Sequence, residues 1–412
     1  MNTGDTAWML ISTALVLFMT PGLAFFYGGM VRSKNVLGML MQNVLAMGLM
    51  SMVWVATVFS LVFGNAGDGG FIGNFQFAFL HDVGIGAGPG PVLGAISVPF
   101  VLFCAYQMTF AIITPALITG ATADRMKLSA YAIFISVWLV VVYGPVAHWV
   151  FGGGWLTKLG ALDFAGGAVV HINAGAAALA VILVLGRRRG YPHTPMPPHN
   201  LPLTILGTGI LWFGWAGFNA GSALAANGIA AQALMNSILA PAAAMLGWLL
   251  VERWRDGHAT TLGAASGAVA GLVAITPCAG FVGGMAPVYI GFATGMICWF
   301  ALGLKKRFGF DDSLDVIGVH LVGGLFGSIV LGLFADAAIN PAVTNPGLLM
   351  DGGSATLLGY QVIASVATLV FSFTASFAIA KVIDRTIGMR VDAESEDIGL
   401  DLSLHAETAY AN

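Results

Sequence analysis

Asp163-Phe-Ala-Gly-Gly-Ala-Val-Val-His171-Ile-Asn-Ala-Gly-Ala-Ala-Ala-Leu-Ala-Val-Ile-Leu-Val-Leu-Gly186 opens on an acid, ends against Arg187-Arg-Arg189, and carries no formal charge in between. As a helix rising 1.5 Å per residue, the uncharged part is long enough to cross a hydrocarbon core of about 30 Å. Its small residues suit close helix packing inside a bilayer, where Gly and Ala let backbones approach. One ionisable side chain, His171, sits well inside it. The stretch reads as a transmembrane helix packed among others.

The rest of the chain repeats the pattern. Of 412 residues, 58% are hydrophobic and only 8% charged. Soluble domains carry about 25% charged residues, so a water-facing surface could not be coated here. The net charge of −3 says little about partners, but there is no basic patch of the kind nucleic acid requires, so no nucleic-acid partner is expected. Cys104, Cys278 and Cys298 are scattered without ligand spacing, so neither a disulfide framework nor a zinc site is implied, and no metal or organic cofactor is expected. Segment 6–31 lacks the basic flank of a signal peptide and reads as the first span. Single spans are expected in 6–31, 35–67, 128–157, 164–186, 316–335 and 352–380, and one in 83–123 after a Gly-rich approach at 84–90. Segments 190–251 and 257–304 are each too long for one span and must hold two, with breaks near 219–232 and 276–284. The expected fold is therefore an all-α polytopic membrane protein with eleven transmembrane helices.

The basic residues test that count. With the loops after odd-numbered spans assigned to one side, every Lys and Arg except Lys158 falls there. The positive-inside rule makes that side cytoplasmic, with the N-terminus outside and the C-terminus inside. A wrong count would have scrambled this partition. The membrane domain is expected to cover 1–390, and 391–412, acidic and without a basic residue, to form a cytoplasmic tail that reads by composition as solvated.

Span ten contains Asp315-Val-Ile-Gly-Val-His320-Leu-Val-Gly-Gly, which echoes Asp163 and Val170-His171 in span five. Phe26-Tyr27-Gly-Gly in span one has a counterpart in Phe218-Asn-Ala-Gly of span six. Two five-span units in opposite orientations are the inverted repeat of many transporters, with the site near the midplane. Of the eight histidines only His171 and His320 fall well inside spans. His171 lies ~12 Å below Asp163 along the helix, and His320 roughly 8 Å above Asp315, so contact requires Asp315 to be inset. Ionisable residues at such depth are functional candidates. A hydrogen-bonded core role and a haem ligand are the alternatives, the latter opposed by the lack of a further histidine pair at helical spacing.

Read together, Asp163 to Gly175 with Gly186-Arg-Arg-Arg, Pro198-His-Asn-Leu-Pro, Gly214-Trp-Ala-Gly-Phe-Asn-Ala-Gly-Ser222, Gly263-Ala-Ala-Ser-Gly-Ala-Val-Ala-Gly-Leu-Val, Asp315 to His320, and Gly399-Leu-Asp-Leu-Ser-Leu-His-Ala-Glu-Thr-Ala-Tyr410 resemble the ammonium transporter family. The match runs in order along nearly the whole chain. It implies an eleven-span homotrimer in the plasma membrane (bacterial inner membrane), with one pore per subunit and ammonium or ammonia as substrate. His171 and His320 match the family's paired pore histidines, and Phe110 and Phe218 its stacked gate. Phe110, Phe151, Ser222, Asp163 and the backbone of Ala165 match the outer recruitment site, Trp215 the pore wall, and Phe26 and Tyr27 its inner part. Asp163 reads equally well as a helix N-cap. Two positions depart from the pattern: Phe151 stands where Trp is usual and Tyr106 where Phe is frequent. The tail resembles one that packs beneath the subunits and answers to a PII signal protein. The readings kept beside a transporter are an ammonium sensor of the same fold, expected to carry an added signalling domain, an Rh-like neutral gas channel, which tends to lack outer aromatics such as Trp149 and Phe151, and an intramembrane enzyme or haem protein.

Overall fold

A bilayer offers backbone groups no water, so a spanning chain must satisfy its N–H and C=O groups internally. The computed structural model does so with helices throughout, and describes residues 1–67, 70–88 and 96–410. The last two residues of the expected 84–90 approach and the last two of the tail lie outside the described residues. Among the described residues, ten helices are long and apolar enough to cross a membrane: α1 (Thr3–Met30), α2 (Ser33–Phe63), α3 (Phe100–Thr122), α4 (Leu128–Leu159), α5 (Gly167–Leu185), α6 (Leu201–Ala223), α7 (Gly228–Asp256), α9 (Ala286–Phe308), α10 (Ile317–Phe334) and α11 (Ala355–Thr386). A shorter apolar helix, α8 (Thr261–Ile275), lies between α7 and α9. Each of the segments expected to span is thus helical. The starts use ordinary caps: Asn2, Asn200, Asn227 and Thr260 accept the N–H three residues on.

Glycines set the closest helix crossings. A Cβ on Gly207 of α6 would collide with the Phe26 backbone of α1, and one on Gly291 of α9 with the Ala240 carbonyl of α7. These are the small-residue contacts by which helices associate where no hydrophobic effect separates protein from solvent.

The basic end of the bundle is tied by a buried charge network. Arg125, fully buried after α3, donates to the carbonyls of Ala123, Gly186 and Asp311 and to the Ser313 hydroxyl. Asp311 receives Arg188 through two nitrogens, at 2.8 and 2.9 Å. Burial alone would push Asp311 up; the Arg188 fork and Arg125 hold it below the ordinary carboxylate range.

The tail departs from the solvated reading. It forms α12 (Ala393–Ile398) and α13 (Leu400–His405), with Glu396, Leu400 and Asp401 buried. Arg390 pairs with Glu396, and the Arg189 N–H and the Lys34 ammonium also bind that residue. Asp401 accepts the Gly38 N–H, and Asn35 the Leu400 N–H. Composition misleads because the acidic segment has a partner within the same chain: the basic loops it lies against.

Candidate functional site

Among the described residues, five of the helices contain a π-helical turn: Trp54–Val58, Leu139–Tyr143, Gly167–Ile172, Ala216–Ala220 and Ile317–Leu321. Such turns add a residue and re-aim side chains, and are common at functional sites. Those of α5 and α10 hold His171 and His320. Glycine brings them together: a Cβ on Gly175 would stand 2.7 Å from the Leu321 Cα, and one on Gly324 2.9 Å from the His171 Cβ.

The two imidazoles face each other, Nδ1 to Nδ1 at 3.3 Å, with ring centroids 5.4 Å apart and planes within 21°. Only 1% and 3% of their surfaces are exposed. A hydrogen bond between the two ring nitrogens requires a proton on one and none on the other. His171 Nε2 has no partner among the described residues.

Around the pair lies a narrow cavity of about 10 Å³, lined by the histidines, Trp215, Phe218 and otherwise apolar side chains from α1, α3, α5, α6 and α8. Trp215 stacks on His171 at 5.7 Å, and its indole N–H is anchored on the Thr276 hydroxyl at 2.9 Å. Phe218 packs on Trp215 at 5.3 Å and meets Phe110 at 4.3 Å, closing the cavity toward the end opposite the basic loops. Tyr106 continues this ring column, 5.1 Å from Phe110, and its hydroxyl lies 3.2 Å from that of Ser222.

Asp163 sits before α5 with its carboxylate accepting the N–H groups of Gly166, Gly167, Ala168 and Val169 at 2.7–3.3 Å. It is therefore a helix cap. Burial raises its carboxyl above the usual range, and the four N–H bonds offset part of that rise. Ala165 is fully buried in the same bend. Asp315, expected to mirror Asp163, does not. The acid that caps α10 is Asp312, accepting from Val316 and Ile317 at 3.1 and 2.7 Å. His320 stands eight residues after Asp312, as His171 does after Asp163. Burial, then Asp315, pushes Asp312 up to about 7. Asp315 itself has φ +63 and pairs with Lys305 at 2.5 Å.

Other expected residues lie farther out. Tyr27 donates to the Leu117 carbonyl at 3.2 Å, beyond the cavity toward the basic end, beside Phe26. Phe151 is half-buried at the break within α4, and the ring pairs among the described residues do not include it. Trp149 packs against Phe71, Trp155 and Phe371, away from the Tyr106–Phe110–Phe218 column. Sequence reasoning missed Thr276, Asp312 and the aliphatic liners. The eight-residue spacing would have found Asp312; nothing marks one Leu in a membrane helix as pore-lining.

The sequence profile of the Ammonium Transporter Family matches residues 7–410. The chain belongs to the ammonium transporter family. An "Ammonium transporter" of Mycobacterium tuberculosis is 51% identical over 99% of this chain and 90% of its own length. The crystal structure of Saccharomyces cerevisiae Mep2 superposes with a TM-score of 0.88, at 35% identity, over 96% of this chain and 90% of that one. A "Sensor Amt Protein" superposes with a TM-score of 0.89 at 28% identity, over 98% of both chains. Membership accounts for the all-helical, multi-pass membrane fold, and gives the histidine-centred cavity of this ammonium transporter family member its context.

Proposed function

We propose that the protein carries ammonium across the plasma membrane as a homotrimer, recruiting the ion at the mouth opposite the basic loops, removing its proton, and passing ammonia along the histidine-lined cavity. The observation that carries this reading is a hydrogen-bonded histidine pair within an otherwise apolar cavity closed by Phe110 and Phe218. An intact ion would pay several kcal/mol or more to enter such a space. Ammonia is neutral and needs only an acceptor or donor from the imidazoles. Potassium has no proton to lose, and is rejected. In this reading α8 also spans the membrane and completes the count of eleven, the basic loops face the cytoplasm, spans one to five and six to ten are inverted repeats, and 1–390 is the transport domain. The capped-helix-then-histidine arrangement of α5 and α10 supports the repeat.

Ser222 supplies an oxygen acceptor at the mouth, Phe110 and Phe151 aromatic faces, and the Ala165 carbonyl a further acceptor; Asp163 holds the end of α5 that carries that carbonyl. Liposomes carrying the purified protein take up ammonium and not potassium after a jump in either; the proton removed at the mouth stays in the outer solution or follows through the imidazole pair, and only the second route gives a current on a solid-supported membrane. Equal responses would end the reading. The likeness to a sensor favours a second reading, ammonium sensing with slow conduction; specific ammonium binding without flux would select it.

Two further outcomes follow. Phe151→Trp lowers the half-saturation for methylammonium roughly two- to five-fold, because indole is the better cation–π face by about 0.5–1 kcal/mol. An unchanged or raised value removes Phe151 from the recruitment site. Deleting 391–412 frees Lys34, Asn35 and the Gly38 N–H from their tail partners. The truncated protein stays folded, and its uptake or its response to a PII signal protein shifts; wild-type uptake with a wild-type PII response would refute a regulatory tail.

A further inference from the structure

Tyr106 is fully buried on α3, one turn before Phe110. Its hydroxyl lies 2.9 Å from the Gly217 carbonyl, 2.9 Å from the Phe218 carbonyl and 3.2 Å from the Ser222 hydroxyl. Both carbonyls belong to the π-helical turn of α6, where the regular i→i+4 ladder is offset. The hydroxyl has one hydrogen to donate, so the two carbonyls share it, and Ser222 meets the oxygen that remains. Ser222 likewise has one hydrogen, divided between the Tyr106 oxygen and the Phe218 carbonyl 2.8 Å away.

The geometry joins α3 and α6 at two heights. Tyr106 binds the backbone of Phe218, and one turn on, about 5.4 Å along the helix, Phe110 stacks on the ring of that same residue at 4.3 Å. The rings cannot part by sliding or tilting α6 without stretching the hydroxyl contacts. A phenylalanine at position 106 would keep the ring and lose this tether.

We propose that Tyr106 is a positioning residue that latches the Phe110–Phe218 gate through the α6 backbone and so sets the size of substrate the mouth admits. The proposal rests on the transport reading above. With the latch present the gate opens only as far as the smallest substrate requires. Without it the rings separate more readily, and a bulkier substrate gains more than ammonium does.

The test is Tyr106→Phe in liposomes, with ammonium and methylammonium flux measured over a range of concentrations. The ratio of methylammonium to ammonium kcat/KM should rise about five-fold, the worth of one hydrogen bond, mainly through kcat. Replacement of Tyr106 by 4-aminophenylalanine, which keeps a donor at the same reach, should restore the ratio. If Tyr106→Phe does not fold, 4-fluorophenylalanine fills the hydroxyl's space without donating and carries the same test. A merely structural role would lower both fluxes together with the amount of folded protein. A ratio within two-fold, about what less than half a hydrogen bond would give, in a folded variant overturns the proposal, provided the wild-type protein transports. Absence of wild-type flux would instead defeat the transport reading.

Discussion

Ammonium flux through His171→Ala, His320→Ala and the double variant falls to one common low level. The drop is roughly 100-fold, the low end of what a positioned proton acceptor contributes. The three variants agree because the imidazoles act as a hydrogen-bonded unit, and a unit fails when either half is lost. Discrimination against potassium weakens at the same time, since truncation opens the apolar cavity to water and lowers the cost of a whole ion. Folding survives: each histidine borders a cavity, so its removal enlarges existing space rather than emptying a packed core. Liposome flux of both ions for the two singles and the double decides this. Wild-type flux and selectivity in both singles would sink the mechanism.

Asp163→Ala removes the acceptor for four backbone N–H groups at the head of α5. The expected cost is about 2 kcal/mol, the upper end for a helix cap, seen as a drop of several degrees in the Tm of the detergent-solubilised protein. Uptake falls with it, because His171 lies two turns further along the helix that this cap anchors. Asp163→Asn keeps one acceptor oxygen and should recover part of both. If Asn and Ala variants match the wild type in stability, the carboxylate is not a cap in function. If Asn restores stability but no uptake, its charge acts on the ion at a distance.

Much of this was legible in the sequence because a bilayer leaves the chain few choices. The uncharged lengths marked the helices long enough to span, and the two deep histidines marked the residues that meet in the cavity. His171 and His320 proved to be partners, and Phe110, Phe218 and Trp215 join them in one column. The inner acid was misjudged: Asp315 continues into Val-His-like text, but its left-handed backbone and its pairing with Lys305 take it out of the capping role, which falls to Asp312. The π turns were invisible, since no residue type demands an i→i+5 bond. The tail was misread by its composition, because a partner several hundred residues away in sequence cannot be seen in a window of acidic residues. The hydroxyl of Tyr106 registered only as a departure from a pattern; its meaning required the neighbouring α6 carbonyls.

The buried Arg125 sets an order on the making of the molecule. It leaves the ribosome 186 residues before Asp311, whose carbonyl it binds and whose carboxylate lies beside it. Until Asp311, in the loop before α10, is in place, this guanidinium must remain hydrated at the membrane surface, because an unpaired charge cannot be buried cheaply. Helices α1 to α5 therefore enter the bilayer before their basic end can close around Arg125. Closure of that end waits for Asp311, and a nascent chain stalled before that residue would expose to quality control the same arginine that the completed protein conceals.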